Sequence, residues 1–382
     1  MAKLNVLQFI CPTGFYGAER WILALARNLD SDDVNCELVV TREPNVPDLE
    51  ISKRYADLQL PVHELAMSGR FDFSVVTKLC RLIKERNIHI IHTHGYKSDI
   101  LGVLAAKRAG IKSVCTPHGF ENAEDFKLKA FIWVGCQSFR FFDAVVPLSE
   151  QLIDQVKPYG INKTKLRYIQ NGVDLKEVED ARDQGVLRES DADRSEKIIG
   201  FVGQMISRKN IFDILDIFNE LCSQRADLRL QLLGDGDQRQ ELEEYASKLE
   251  YHDKIEFVGF VNNRLDYLRS FDLFVMSSSL EGIPRCLMET LAMGIPVAAY
   301  NIPGIDQLIE HEQSGLCVPF GEKEALKNQW LRILDDKTLA DRLVENGRKW
   351  VYEKFAASRM AREYTELFHQ LVDVQESDDV SA

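Results

Sequence analysis

Leu280-Glu-Gly-Ile-Pro-Arg-Cys-Leu-Met-Glu289, running on through Thr290-Leu-Ala-Met-Gly-Ile-Pro-Val-Ala-Ala-Tyr-Asn301, is the stretch on which the reading of this chain turns. Just upstream, Phe271 to Met276 is an apolar run that ends in Ser277, Ser278 and Ser279. Gly282 and Pro284 break the chain before Leu287, Leu291 and Met293 resume helical spacing. The pattern predicts a strand, a tight loop, a short helix and a second strand, with Glu281 in the loop and Glu289 inside the helix. A carboxylate beside a helix N-terminus accepts hydrogen bonds from sugar hydroxyls, and the free N–H groups of that helix suit a phosphate. A nucleotide-sugar needs both.

The chain of 382 residues is too long for one ordinary core, which predicts two domains of similar size. Its net charge is −13, yet residues 1–180 carry 23 Lys and Arg against 23 Asp and Glu, so all the excess acid lies in the second half. An acidic chain without a basic block is a poor nucleic-acid binder, because neutralising phosphates takes clustered Lys and Arg. The eight cysteines form no C-x-x-C pair and have no histidine at metal-ligand spacing, so they read as small core residues in a reducing compartment. Met1 to Ile10 lacks the charged start and long apolar stretch of a signal peptide and reads as a first strand. No run approaches the roughly 18 apolar residues of a membrane span. The expected setting is cytoplasmic, with peripheral membrane contact left open.

In the first half, Val6 to Ile10 is apolar, Gly14 and Gly17 punctuate a loop, and Trp21, Ile22, Leu25, Ala26 and Leu29 recur at helical spacing. Strand, glycine loop and helix open a nucleotide-binding α/β unit, although a full G-x-G-x-x-G and a P-loop lysine are missing. Further strands are predicted at 37–41, 61–65, 88–92, 113–116 and 144–147, with helical patterns between them. This alternation predicts a parallel sheet covered on both faces, with ligands beyond the carboxyl ends of its strands. His92-Thr-His94-Gly95 and Thr116-Pro-His118-Gly119 stand at two such ends. Being placed before glycine, these histidines are expected to face the cleft and not the core, where a histidine needs a partner. No third ligand falls at metal spacing, so no metal is assigned. Phe126-Lys-Leu-Lys-Ala-Phe-Ile-Trp-Val134, continuing to Phe139-Arg-Phe-Phe142, reads as an amphipathic helix that packs its aromatic face on the sheet with its lysines outward. The alternative lays it on an anionic membrane surface.

Glu179 to Lys197 is charged and aperiodic and reads as an exposed linker. The second α/β domain begins at Ile198-Ile-Gly-Phe-Val202, followed by Gly203-Gln204-Met-Ile-Ser-Arg208-Lys209-Asn210. Leu230 to Leu233 is a strand with Gly234-Asp-Gly236-Asp237 after it, Phe257-Val-Gly259-Phe-Val261 starts another unit, and Asn301-Ile-Pro-Gly304 is a loop whose N–H groups suit a diphosphate. The expected division is 1–180 for the first domain, 181–196 for the linker, 197–354 for the second domain, 355–372 for a final helix and 373–382 for a disordered acidic tail.

These motifs, in this order and at these separations, resemble the retaining family-four glycosyltransferases, whose fold is GT-B: two facing Rossmann-like domains with a C-terminal helix that crosses back to the first. The resemblance runs from Gly14 to about Leu371. It implies that Glu281 touches the donor sugar and Glu289 the ribose hydroxyls. Gly14-Phe-Tyr-Gly17-Ala-Glu19-Arg20 resembles the family's G-G-A-E-R loop at the donor phosphates. Thr-Pro-His118-Gly is similar to its T-x-H-G loop, which puts His118 near the transferred sugar or the acceptor; His92 and His94 are expected on the acceptor side. Ser149-Glu150 and Asn171-Gly172-Val173-Asp174 resemble the end of the family's first domain. Gly203 to Asn210 resembles G-R-x-x-x-x-K-G, in which the arginine and lysine grip the donor diphosphate. Lys209 matches, whereas Gln204 stands at the arginine position and Asn210 at the glycine position. Arg208 and Arg285 are the candidates for the missing cation, with Arg285 slightly preferred because it lies on the donor loop. Asp235 and Asp237 mimic a D-x-D metal motif, but the alternating glycines match the family's G-D-G loop, so Gly234 and Gly236 are assigned to the nucleotide.

The resemblance therefore implies a metal-independent glycosyltransferase that moves a sugar from a nucleoside diphosphate-sugar to a sugar or lipid-linked acceptor hydroxyl, in the synthesis of a glycan, polysaccharide or glycolipid. His118, Lys209 and Glu281 are its expected catalytic residues. Gly14, Gly17, Glu19, His94, Asn171, Gln204, Arg208, Gly234, Gly236, Arg285, Glu289 and Gly304 are its expected substrate contacts. A non-catalytic glycosyltransferase-like partner protein and a GT-B sugar-nucleotide epimerase are the competing readings.

Overall fold

Short apolar runs followed by helical patterns do fold as βα units, twice over. A computed structural model describes residues 3–12, 14–44, 49–69, 72–119, 126–184 and 195–380. The chain divides into two units, Met1–Gly172 with Ala357–Ala382, and Val173–Ala356. Among the described residues the first unit holds a six-stranded parallel sheet of β1 (Leu4–Ile10), β2 (Val34–Arg42), β3 (Val62–Ala66), β4 (Ile90–His94), β5 (Lys112–Cys115) and β6 (Ala144–Val145), in the order β3-β2-β1-β4-β5-β6. The helices include α1 (Gly17–Asn28), α2 (Glu50–Asp57), α3 (Ser74–Glu85), α4 (Tyr96–Ala109), α5 (Phe126–Ser138) and α6 (Glu150–Val156). The strand order reverses direction between β1 and β4, and their carboxyl ends are where such a sheet leaves a crevice. The Gly14 loop leaves β1 there, and His94 is the last residue of β4.

The second unit repeats the plan. After α7 (Leu175–Gln184) come β7 (Lys197–Val202), α8 (Ile211–Cys222), β8 (Leu228–Leu233), α9 (Arg239–Ala246), β9 (Ile255–Gly259), α10 (Arg264–Leu268), β10 (Leu273–Met276), α11 (Arg285–Met293), β11 (Val297–Asn301), β12 (Leu316–Pro319), α12 (Lys323–Asp335) and α13 (Lys337–Lys354). The sheet order is β12-β11-β10-β7-β8-β9, all parallel, so the reversal falls between β7 and β10. The loop carrying Lys209 follows β7, and the loop carrying Glu281 follows β10.

Four boundaries differ from those expected. The units part at Gly172 and not near residue 180, because α7 belongs to the second unit: Asp174 starts it, its Oδ1 accepting from the N–H of Glu177 at 3.3 Å, and Val178 lies in the second core. Residues 181–184 of the expected linker are helical, and 185–194 lie outside the described residues. The final helix α14 runs from Ala357 to Val380, so the tail expected to be disordered is helical through Val380. Its Met360, Ala361, Tyr364, Leu367 and Phe368 recur at helical spacing and share the first unit's core with Trp21, Ile22 and Leu25 of α1. Burying each large apolar side chain of this kind stabilises by about 1.5–3 kcal/mol. Finally, β4 runs over 90–94 and not 88–92, which draws both of its histidines into the sheet.

Candidate active site

Loops in the second unit converge on backbone, and glycine is what lets them. The N–H of Gly203 donates to the carbonyl of Leu233 at 3.0 Å, and that of Gly234 to Gly259 at 2.8 Å. A Cβ on Gly234 would lie 1.8 Å from the carbonyl oxygen of Gly203, and one on Gly236 2.4 Å from that of Met205. Gly304, at φ +93°, brings its loop so close to the Glu281 loop that a Cβ would fall 1.6 Å from the carbonyl oxygen of Gly282.

Two of the three serines that follow β10 hold the basic loop in place. Ser277 Oγ donates to the carbonyls of Lys209 and Asn210 at 2.9 and 2.8 Å, and the N–H of Ser279 donates to that of Arg208 at 2.8 Å. Asn210, in the left-handed region at φ +49°, turns the chain into α8 where the motif would have glycine. Lys209 is thereby buried, and its ammonium donates to the buried carboxylate of Glu281, which also accepts from Ser278 Oγ at 2.6 Å. Arg208 Nη1 lies 3.6 Å from the other Glu281 oxygen and donates to the carbonyl of Leu280 at 3.2 Å, with 41% of its side chain still exposed. Gln204 is exposed.

Glu289 is held just as firmly from the helix side. Arg264 grips it bidentately, Nε to Oε2 at 2.9 Å and Nη2 to Oε1 at 2.5 Å, and Arg285 Nε donates to Oε1 at 2.7 Å. Glu177 of α7 faces both guanidiniums, 3.5 Å from Arg264 Nη2 and 3.2 Å from Arg285 Nη2. Burial opposes the charge of Glu289, but the two guanidiniums outweigh it and hold the carboxyl at about 2. Arg285, the preferred candidate for the missing diphosphate cation, sits four residues before Glu289 on one helical face and is paired with Glu289 and Glu177. The other candidate, Arg208, lies beside Lys209 and keeps part of its side chain exposed. Arg264 and Glu177 lie in none of the motifs read from the sequence.

In the first unit the glycine loop largely serves itself. The N–H of Tyr16 donates to Glu19 Oε2 at 2.9 Å, so the buried Glu19 closes the first turn of α1. A Cβ on Gly14 would strike the Tyr16 ring at 2.3 Å, whereas Gly17 has open space around it. Arg20 lies over the ring of Phe15, 4.5 Å from its centroid. Asn171 completes a turn, donating from its N–H to Leu148 at 3.0 Å while its Oδ1 accepts from the N–H of Gly172 at 2.9 Å.

His92 and His94 are core residues, contrary to the expectation that they face outward, and each has a hydrogen-bond partner inside the sheet, although the buried Nδ1 of His92 has none among the described residues. His92 Nε2 lies 2.7 Å from Thr116 Oγ1, which lies 2.8 Å from the Tyr364 hydroxyl. His94 Nε2 donates to Gln8 Oε1 at 2.8 Å, an orientation in which the amide nitrogen of Gln8 reaches Cys36 Sγ. Its Nδ1 is then an acceptor, 3.0 Å from His118 Nε2, which must donate. The chain of bonds leaves His118 with its lone pair on Nδ1. His118 is half-buried, and Trp21 lies against all three imidazoles. Loss of water around it lowers His118 to about 3, and His92 and His94 are held well below the usual histidine range by the same cause. A neutral imidazole backed by two neutral imidazoles accepts or orients a hydroxyl proton.

Two family descriptions match the chain in tandem, "Glycosyltransferase Family 4" over residues 15–177 and "Glycosyl transferases group 1" over residues 186–350. The chain belongs to the family-four glycosyltransferases. Among the relatives of this glycosyltransferase is N-acetyl-alpha-D-glucosaminyl L-malate synthase of Bacillus anthracis, 26% identical over 86% of this chain and 85% of the relative. Another is the UDP-Gal:alpha-D-GlcNAc-diphosphoundecaprenol alpha-1,3-galactosyltransferase of Escherichia coli, 27% identical over 70% of this chain and 72% of the relative. The fold matches Anabaena HepE crystallised with UDP-glucose at a TM-score of 0.77, 18% identity and 96% and 100% coverage. It matches sucrose-phosphate synthase of Thermosynechococcus elongatus at 0.76, 21% identity and 97% and 100% coverage. The glycosyltransferase thus has the GT-B architecture of two parallel α/β units with a returning C-terminal helix.

Proposed function

We propose that this glycosyltransferase moves a hexose from a nucleoside diphosphate-sugar, UDP-linked in the first instance, to a hydroxyl of a sugar or lipid-linked acceptor with retention at the anomeric carbon. The acceptor oxygen bonds to that carbon on the face from which the diphosphate oxygen departs. The observation that carries the reading is the pair of cations, buried Lys209 and part-exposed Arg208, beside Glu281 at the sheet's reversal point. Their charge meets that of the departing diphosphate. In this reading the backbone of Gly14, Gly17, Gly234, Gly236 and Gly304 meets the phosphates and nucleotide, with Gln204 of the Lys209 loop and Glu19 of α1 as further contacts. Glu281 holds the donor sugar and Glu289, with Arg264 and Arg285 behind it, the ribose. His118 orients the reacting hydroxyl, His94 fixes its tautomer and Asn171 borders the acceptor. Eight free cysteines suit a reducing, cytoplasmic setting.

A UDP- and lipid-linked assignment is supported by the names of the Escherichia coli relative and the HepE complex. The test is a thermal-shift screen of UDP-, GDP- and ADP-sugars, in which a hundredfold excess over Kd adds about 2.7 kcal/mol of stability, followed by product analysis with a trial acceptor. A glycoside whose anomeric configuration matches the donor is the expected product. An isomerised nucleotide-sugar, or binding without turnover, overturns the reading. Binding without turnover favours the non-catalytic alternative, which rests on Gln204.

A further inference from the structure

The outer face of α4 and α5 combines exposed apolar side chains with cations. On α5, Ile132 and Cys136 turn inward, and Phe139 and Phe142 follow them into the core, but Trp133 and Val134 point to solvent, Trp133 with 57% of its surface exposed. Of the aromatic residues expected to pack on the sheet, Phe139 and Phe142 are buried and Trp133 and Phe141 are exposed, and the side chains of Phe126 and Phe131 lie outside the described residues. Phe141, just past α5, is 51% exposed, and Lys107 of α4 places its ammonium 5.5 Å from the centre of that ring. Leu104, exposed as well, lies one helical turn before Lys107 and Arg108. Arg140 is exposed beside Phe141 and donates to Gln137, one turn beyond Trp133. In a chain of net charge −13, residues 100–119 and 126–142 hold six Lys and Arg and no Asp or Glu. The neighbouring acid Asp143 is turned away, accepting from Ser113 N and Oγ at 2.8 and 2.9 Å. Glu121, Glu124 and Asp125 lie outside the described residues.

We propose that this face, with Trp133, Val134, Phe141 and Leu104 as the apolar contacts and Lys107, Arg108 and Arg140 as the cations, docks the glycosyltransferase peripherally on an anionic phospholipid bilayer. The pairing is what an interface of this kind selects. Tryptophan and phenylalanine enter at headgroup depth, and Lys and Arg meet the negative surface. The rest of this acidic chain would repel an anionic membrane unless this face turned toward it.

The test is flotation of the full chain with phosphatidylcholine vesicles containing about one-third phosphatidylglycerol, against vesicles of phosphatidylcholine alone. The parent is expected to float with the anionic vesicles only. Lys107→Ala with Arg108→Ala should lower partitioning by roughly 30-fold, and Trp133→Ser with Phe141→Ser should abolish flotation. All four positions are exposed, so unfolding transitions and transfer to a water-soluble acceptor should stay at parental levels. Should a variant fail to fold, quenching of parental tryptophan fluorescence by brominated phosphatidylglycerol, absent in Trp133→Phe, reads the same contact. No flotation of the parent, equal flotation on both vesicle types, or undiminished flotation of both double variants overturns the proposal. So does a dimer in sedimentation that Trp133→Ser with Phe141→Ser makes monomeric without changing flotation.

Discussion

Arg264 and Glu289 form two parallel hydrogen bonds, Nε to Oε2 at 2.9 Å and Nη2 to Oε1 at 2.5 Å, with both side chains buried. Removing one member of such a pair strands the other in the interior. Glu289→Ala leaves Arg264 and Arg285 with only the part-exposed Glu177 to share and should destabilise the second unit by about 3–5 kcal/mol. Urea unfolding measures this. A loss under 1 kcal/mol would mean that water reaches the guanidiniums and that the pair is not closed.

Arg208 and Arg285 should part company when each is replaced by alanine. Arg208→Ala should cost on the order of 2–4 kcal/mol in kcat/KM with unfolding unchanged, as loss of a charge-stabilising donor does. Arg285→Ala should act chiefly on stability, because its partners are Glu289 and Glu177. If Arg208→Ala transfers sugar within twofold of the parent, Lys209 and the loop dipoles suffice for the diphosphate.

Gly304 and Gly321 make a matched pair, at φ +93° and +87°, but only Gly304 has backbone where a Cβ would go. Gly321→Ala should cost about 1–2 kcal/mol of stability and leave KM for the donor alone. Gly304→Ala must push the Glu281 loop aside and should abolish measurable donor binding in calorimetry. Equal behaviour of the two variants would detach Gly304 from the site.

The buried imidazoles give stability a pH dependence of known sign. His118 titrates at about 3 when folded against an ordinary 6.5, so the unfolded chain takes up the proton first. The stability due to neutral His118 is complete above pH 6.5 and is lost as pH falls toward 3, with His92 and His94 adding in the same direction. Asp99, raised by burial to about 7, acts oppositely, its share being lost as pH climbs from 3.8 to 7. The difference between parent and His118→Gln isolates the histidine. Melting temperature should fall less steeply in the variant between pH 6.5 and 4.5, and parallel curves would refute the assignment.

Transfer should persist in EDTA. Asp235 Oδ1 accepts from the N–H of Gly236 and its Oδ2 lies 3.7 Å from Arg239, while Asp237 points to solvent. Activity lost to EDTA and restored by Mn²⁺ would return these two carboxylates to the chemistry.

Most of the architecture was readable because period and punctuation repeat with each βα unit. The Glu281–Glu289 loop and the Lys209 loop lie between the strands and helices that their spacing predicts. What escaped depends on which face a residue turns. A two-residue error in the start of β4 moved His92 and His94 from the sheet's rim into its interior, and no local pattern reports that Gln8 and Thr116 wait there as partners. Arg264 was invisible for a related reason: an arginine before an apolar run looks solvated until Glu289, 25 residues on, is folded against it.

The helix α14 gives the molecule an order of assembly. Thr116 and Tyr364, 248 residues apart, share a hydrogen bond inside the first unit, so the first half of the chain to leave the ribosome is the last to be finished. Until residues 357–368 emerge, Trp21 and its neighbours on α1 lack their covering helix, whereas Val173–Ala356 is continuous and needs no later segment. A stop codon just past Ala356 would therefore spoil not the end of the protein but its beginning.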